Sequence, residues 1–60
     1  MMTRKEMETL YDTEASNNRI KSPILKNAIK EIERFAAMGY AVSATKKTII
    51  DWAYNTQKIK

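Results

Sequence analysis

Residues 22–38, SPILKNAIKEIERFAAM, carry the clearest structural pattern in the chain. The hydroxyl of Ser22 can accept a hydrogen bond from a backbone N–H in the first turn of a helix, and Pro23 suits the first helical position. Apolar residues then recur at spacings of three and four, as on one buried helix face: Ile24, Leu25, Ala28, Ile29, Ile32, Phe35 and Ala36. Gly39 follows where a left-handed C-cap is favoured. The pattern predicts a helix over residues 22–38.

The residues before this segment predict a first helix over residues 3–17. Thr3 and Glu6 have the spacing of a capping box, in which each side chain accepts a hydrogen bond from the backbone N–H of the other residue. Apolar side chains follow at helical spacing: Met7, Leu10, Tyr11 and Ala15. Residues 16–18, Ser-Asn-Asn, then indicate a break, because their side chains compete for backbone hydrogen bonds.

The residues after Gly39 predict a third helix over residues 43–57. Either Ser43 or Thr45 can serve as its N-cap, and apolar residues cluster on one broad half of the helix that follows. Together with the two helices before it, this segment predicts an all-α fold. We expect a compact three-helix domain that comprises residues 1–60.

The composition limits the classes of function. A chain of 60 residues buries only about 60% of its unfolded surface, so a core of this size gives marginal stability. The sequence contains no cysteine and no histidine, and therefore lacks disulfides, the usual zinc ligands and the commonest catalytic bases and nucleophiles. Its single glycine excludes a glycine-rich phosphate loop. We expect no enzyme activity, no metal, no cofactor and no small-molecule substrate.

The size of the chain also favours association. Oligomerisation is a common remedy for a small domain that has neither disulfides nor a structural metal, so we expect a homodimer formed through the third helix or the first. The sequence contains no run of eighteen apolar residues and no signal-peptide core. It therefore predicts a cytoplasmic protein without a membrane partner.

The whole chain has a formal net charge of +4, and its positive charge is concentrated in the last two-thirds of the sequence. Residues 1–18 contain two basic and four acidic residues, whereas residues 19–60 contain nine basic and three acidic residues. Lys26, Lys30 and Arg34 are spaced four residues apart, on one face of the second predicted helix. An anionic partner such as nucleic acid explains this distribution. An ordinary solvated helix face, which only keeps the protein soluble, explains it as well.

The segment around Gly39 resembles a helix-turn-helix unit. Over residues 24–56 a helix that ends in glycine is followed by a short turn and by a helix that opens with Ser, Thr and Lys. The turn, residues 39–42, is one residue longer than usual. In such a unit the start of the second helix lies in the major groove. The candidate DNA-contacting residues are small, polar or basic: Lys26, Lys30, Arg34, Ser43, Ala44, Thr45, Lys46, Lys47 and Thr48. The resemblance implies a small DNA-binding regulator of transcription.

Two alternatives to DNA binding stay open. Ile50, Trp52 and Tyr54 supply apolar and aromatic surface on the third helix, and aromatic residues often dominate protein interfaces. These residues predict a helical adaptor or inhibitor that binds another protein. Small lysine-rich chains of this kind are frequent among phage and mobile-element products. In the simpler alternative, Gly39 ends one helix of a bundle and Trp52 anchors its core.

A second resemblance concerns the end of the second predicted helix. Residues 32–35, IERF, and the following Met38, Gly39 and Tyr40 are similar to the first helix and the MGF or MGY loop of ubiquitin-associated domains. The resemblance implies two further helices after the loop. About twenty residues remain after it, which is enough for one helix.

Overall fold

The computed structural model describes residues 2–59 and contains three α-helices. α1 comprises Arg4–Ser16, α2 comprises Pro23–Ala37 and α3 comprises Lys46–Ile59. The prediction of a compact all-α domain of three helices is confirmed. Within residues 2–59, no helix has the length and the apolar character that crossing a membrane requires.

α1 begins at the predicted capping box. The backbone N–H of Thr3 donates to Oε1 of Glu6 at 2.8 Å, and the backbone N–H of Glu6 donates to Oγ1 of Thr3 at 3.1 Å. The bond from the Thr3 backbone, with a smaller effect of the Thr3 side chain, lowers the pKa of Glu6 below its ordinary value, because it favours the ionised carboxylate. The sequence prediction for this helix start is confirmed.

The start of α2 differs from the prediction in one hydrogen bond. Pro23 is the first helical residue, but the Ser22 side chain makes no cap bond to the helix. The Ser22 hydroxyl instead donates to Oε2 of Glu14 at 2.8 Å. Oε1 of Glu14 also accepts from the backbone N–H groups of Lys21 and Ser22, at 3.0 and 3.1 Å. Ser22 is therefore the N-cap of α2 by position, as predicted, but the predicted hydrogen bond of its hydroxyl to the helix is absent. The carboxylate of Glu14 orients the hydroxyl instead, because a charged acceptor binds it more strongly.

Because Glu14 ties α1 to the start of α2, stability should depend on its charge. Hydrogen bonds from the backbone and hydroxyl of Ser22, and then from the Lys21 backbone, lower the pKa of Glu14. A carboxyl group with a lowered folded pKa contributes stability above its unfolded value of 4.5, and this contribution is lost as the pH falls through the folded value. We expect the melting temperature to fall below about pH 5, and to fall less steeply in Glu14→Gln. Thermal melts followed by circular dichroism from neutral to acid pH measure both profiles.

The control for this experiment is Glu33→Gln. This substitution removes the same negative charge, but Glu33 is exposed on α2 and has no hydrogen-bond partner among the described residues. It should keep the wild-type dependence on pH. A Glu14→Gln profile as steep as that of the wild type would contradict the role of this carboxylate.

α2 ends in a Schellman motif at Gly39, whose φ is +98°. The Gly39 N–H donates to the carbonyl of Ala36 and the Tyr40 N–H donates to the carbonyl of Phe35, both at 3.1 Å. The rings of Phe35 and Tyr40 pack edge to face with their centroids 5.4 Å apart, which is the apolar contact that often accompanies this motif. The predicted left-handed cap is confirmed.

α3 starts later than the predicted range of 43–57. Its first residue is Lys46, and Oγ1 of Thr45 accepts from the backbone N–H of Thr48 at 3.3 Å, so Thr45 is the N-cap. The connection between α2 and α3 therefore comprises residues 38–45. A helix-turn-helix turn usually has three residues and at most four, so this connection of eight residues is at least twice as long. No helix-turn-helix motif is identified in the part of the chain that the structure describes.

The core lies where α3 packs against both other helices. Its buried apolar side chains are at most 4% exposed and come from all three helices: Met7, Leu25, Ala28, Ile32, Ile49, Ile50 and Ala53. α1 and α2 each contact α3 but have little contact with each other. Met2 is hydrogen-bonded to Gln57, and Asp12 is paired with Lys46, so α1 runs antiparallel to α3. α3 is therefore the central helix of the fold.

Candidate nucleic-acid interface

An exposed basic surface lies on the side of α2 that faces away from α3. The buried residues of α2 face α3, and at 3.6 residues per turn Lys30 lies on the opposite side of the helix. Lys26 and Arg34 lie about one turn before and after it, and all three side chains are exposed. At 1.5 Å per residue they form a line about 12 Å long. We call Lys26, Lys30 and Arg34 the α2 basic face.

The α2 basic face has no acidic partner among the described residues. The ion pairs between residues 2 and 58 join Arg4 to Asp51, and Lys46 to Glu8 and Asp12. None of them includes a residue of this face. Its three positive charges therefore form no direct ion pair and are accessible to an anion in solution, although the exposed carboxylate of Glu33 lies about one turn from Lys30.

Most carboxylates, in contrast, already have a partner within the protein. Glu6 and Glu14 accept hydrogen bonds at helix starts, and Glu31 accepts from the indole N–H of Trp52 at 3.2 Å. Three more belong to the ion pairs, so within residues 2–58 six of the seven carboxylates have a partner and only Glu33 has none. The net positive charge therefore appears at the surface as unpaired lysine and arginine.

The residues at the start of α3 lie differently from what the sequence predicts. Ser43 and Ala44 are exposed in the connection and belong to no helix. The hydroxyl of Thr45 caps α3 and lies 2.9 Å from the hydroxyl of Thr48, so both hydroxyls are already hydrogen-bonded. These four candidate residues do not lie along one helix face.

Lys46, the first residue of α3, is paired with the acidic side chains of α1. Its Nζ lies 2.8 Å from Oδ1 of Asp12 and 3.8 Å from Oε1 of Glu8. The hydrogen bond to Asp12, with the negative charges of both carboxylates, raises the pKa of Lys46 because it favours the charged ammonium. Lys47 is exposed, but the carboxylate of Asp51 lies one turn further along the helix. The start of α3 is therefore less positive than the α2 basic face.

The three predicted protein-interface residues differ in burial. Ile50 is 4% exposed and belongs to the core. Trp52 is half-buried, with its ring centroid 5.4 Å from that of Phe35. Tyr54 is also half-buried, and the cationic groups of an arginine and a lysine lie 4.9 and 4.7 Å from the centre of its ring. These contacts use most of the apolar surface that the sequence assigns to an interface.

An exposed apolar surface at the α2–α3 connection was not predicted. Residues 35–45, FAAMGYAVSAT, form the longest run without a charged residue in the sequence. Met38 and Tyr40 lie in this run and are 57% and 60% exposed. The absence of charge was the signal that could have indicated it. We call residues 35–45 the uncharged segment.

The remaining observations do not assign the chain to a family. Within residues 2–59 a single helix, α3, follows the loop at Met38, Gly39 and Tyr40, whereas ubiquitin-associated domains have two helices there. Among the same residues, no three acidic, cysteine or histidine side chains come together in a group that could hold a metal ion. Comparison of the chain with protein-family models, curated proteins and solved structures finds no match.

Proposed function

We propose that the protein is a small DNA-binding regulator of transcription that contacts the duplex through the α2 basic face. One observation carries this proposal: Lys26, Lys30 and Arg34 form an exposed line without acidic partners. The opposite side of the same helix is fixed by the core. A rigid helix that presents unpaired cations can enter the major groove, which is about 12 Å wide and admits an α-helix.

On one side of the α2 basic face, the neighbouring residues are suited to contacts with DNA bases. By helical geometry Asn27 lies on the same side of α2 as Arg34, about two turns before it, and both residues are exposed. An asparagine amide can pair with adenine through two hydrogen bonds, and an arginine can pair with guanine in the same way. Glu33 is exposed at the other edge of the face and repels phosphate. We therefore expect the duplex to lie on the Asn27 side.

The helix-turn-helix arrangement, with α3 in the groove, is less well supported. The eight-residue connection is too long for that motif, and Lys46 is paired with the acidic residues of α1. The α2 basic face and the start of α3 also lie on different sides of the domain, because α2 turns its apolar side towards α3. One straight duplex cannot contact both surfaces together.

Salt dependence of DNA binding tests the proposal. Each lysine or arginine that contacts a phosphate contributes about 0.9 to the slope of log affinity against log salt concentration. Replacing all three residues of the α2 basic face by Gln should therefore flatten the slope by about 2.7. Fluorescence anisotropy with a mixed-sequence duplex, from about 50 to 200 mM salt, measures the slope over a range in which several phosphate contacts change affinity by orders of magnitude.

The control is a variant that loses the same charge elsewhere, with Lys5, Arg19 and Lys58 replaced by Gln. All three are exposed, so this variant should keep a slope close to that of the wild type. A shallow wild-type slope would contradict DNA binding. A slope that survives in the α2 variant but is lost in Lys46→Gln/Lys47→Gln would move the DNA contact to α3.

A further inference from the structure

We propose that the uncharged segment is an interface between two copies of this chain. Nine of its residues are exposed, and only Phe35 and Val42 are half-buried. Eleven consecutive residues without a charge contrast with a chain in which 30% of residues are charged. Contiguous exposed apolar surface on a small protein marks an interaction site, because such surface is unfavourable in water.

The aromatic side chains of this segment and Val42 are held in place before any partner binds. The Schellman motif at Gly39 fixes the turn, and the Tyr40 ring packs edge-on against Phe35. Phe35 in turn packs against Trp52 of α3. Val42 packs against the core, and its N–H donates to the carbonyl of Tyr40 at 2.9 Å. A surface that is already ordered loses little conformational entropy when it is covered.

Charge distribution indicates a second copy as the occupant. The chain carries a net charge of +4, and its unpaired lysine and arginine side chains lie outside the uncharged segment. A two-fold contact brings the same surface of both subunits together, so like charges meet wherever that surface is charged. The uncharged segment avoids this repulsion. It also offers no charged group with which to select an oppositely charged partner.

The small residues of the segment favour a close contact. Ala36, Ala37 and Ala41 are exposed and flank the larger Met38 and Tyr40. Small and large side chains can interdigitate across a two-fold axis, and Tyr is enriched among the residues that dominate interface energies. This location differs from the sequence prediction, which assigns the dimer contact to the first or third helix. The inference is independent of the proposed DNA contact, because the α2 basic face lies outside the segment.

Charge substitution at Ala41 tests the inference. Ala41 is exposed beside Tyr40, so Ala41→Lys and Ala41→Glu should fold normally, as circular dichroism can verify. Sedimentation equilibrium should show a dimer for the wild type at micromolar concentration. Each variant should dissociate at least tenfold more readily, because like charges face each other across the two-fold axis. An equimolar mixture of the two variants should recover the dimer, because opposite charges then meet.

Asn55→Lys is the control, because it adds the same charge to an exposed position of α3 outside the segment. It should dimerise as the wild type does. A wild-type protein that is monomeric at high micromolar concentration would overturn the inference, and would leave the segment to a different protein. Dimers that persist in both Ala41 variants would also overturn it, since the interface would then lie elsewhere.

Discussion

Ile32→Ala is expected to leave the protein largely unfolded at room temperature. Ile32 is 1% exposed in the core at the contact between α2 and α3. Truncating a buried isoleucine to alanine costs about 2–5 kcal/mol, because apolar contacts are lost and a cavity remains. A single core of this size supplies about 3–5 kcal/mol in total. Urea unfolding followed by far-UV circular dichroism should show the loss of the folded baseline.

Ile29→Ala provides the matched control for this substitution. It removes the same atoms from the same helix, but Ile29 is only half-buried. Its loss of stability should be clearly smaller, and the folded baseline should remain visible. Equal urea midpoints for the two variants would contradict the placement of Ile32 at the centre of the core.

Met7→Ala is expected to destabilise the whole protein rather than α1 alone. Met7 is 0% exposed and is the buried residue of α1, so it is the main apolar anchor of that helix. Its truncation should cost about 2–5 kcal/mol. Met7 joins the same small cluster as Ile49, Ile50 and Ala53 of α3, so its loss also exposes the residues that hold α2. Melting curves from circular dichroism and from Trp52 fluorescence should therefore shift down together.

Met38→Ala makes the same substitution at a residue that is 57% exposed. In the monomer it should change stability by less than about 0.5 kcal/mol, as is usual for surface positions. A Met7→Ala protein that loses helical signal while the Trp52 transition stays in place would show that α1 detaches by itself. That result would contradict the single cooperative core.

The features that the sequence predicts correctly are those that neighbouring residues determine. The capping box of Thr3 and Glu6 and the left-handed Gly39 depend on residues three to five positions apart. The apolar periodicity of α2 identifies Leu25, Ala28 and Ile32 as its buried face. Such signals are sufficient to predict three helices and one core.

The features that the sequence predicts wrongly or misses depend on residues that are distant in the chain. Ser22 is eight residues from Glu14, and the sequence does not indicate that the two meet. Lys46 lies against carboxylates of α1 more than thirty residues earlier, so its charge cannot be judged from α3 alone. The candidate site was therefore only partly predictable: the spacing of the α2 basic face follows from periodicity, whereas its lack of acidic partners requires the fold.

The central position of α3 affects how the chain acquires its structure during synthesis. α1 and α2 are made first, yet they have little contact with each other and both pack against α3. Until the residues from Lys46 onwards have left the ribosome, the apolar faces of the first two helices have no partner to cover them. Short isolated helices are marginal in water, so the nascent chain stays largely unstructured and open to chaperones and proteases during this interval. We expect the three helices to fold together once α3 is available to the other two.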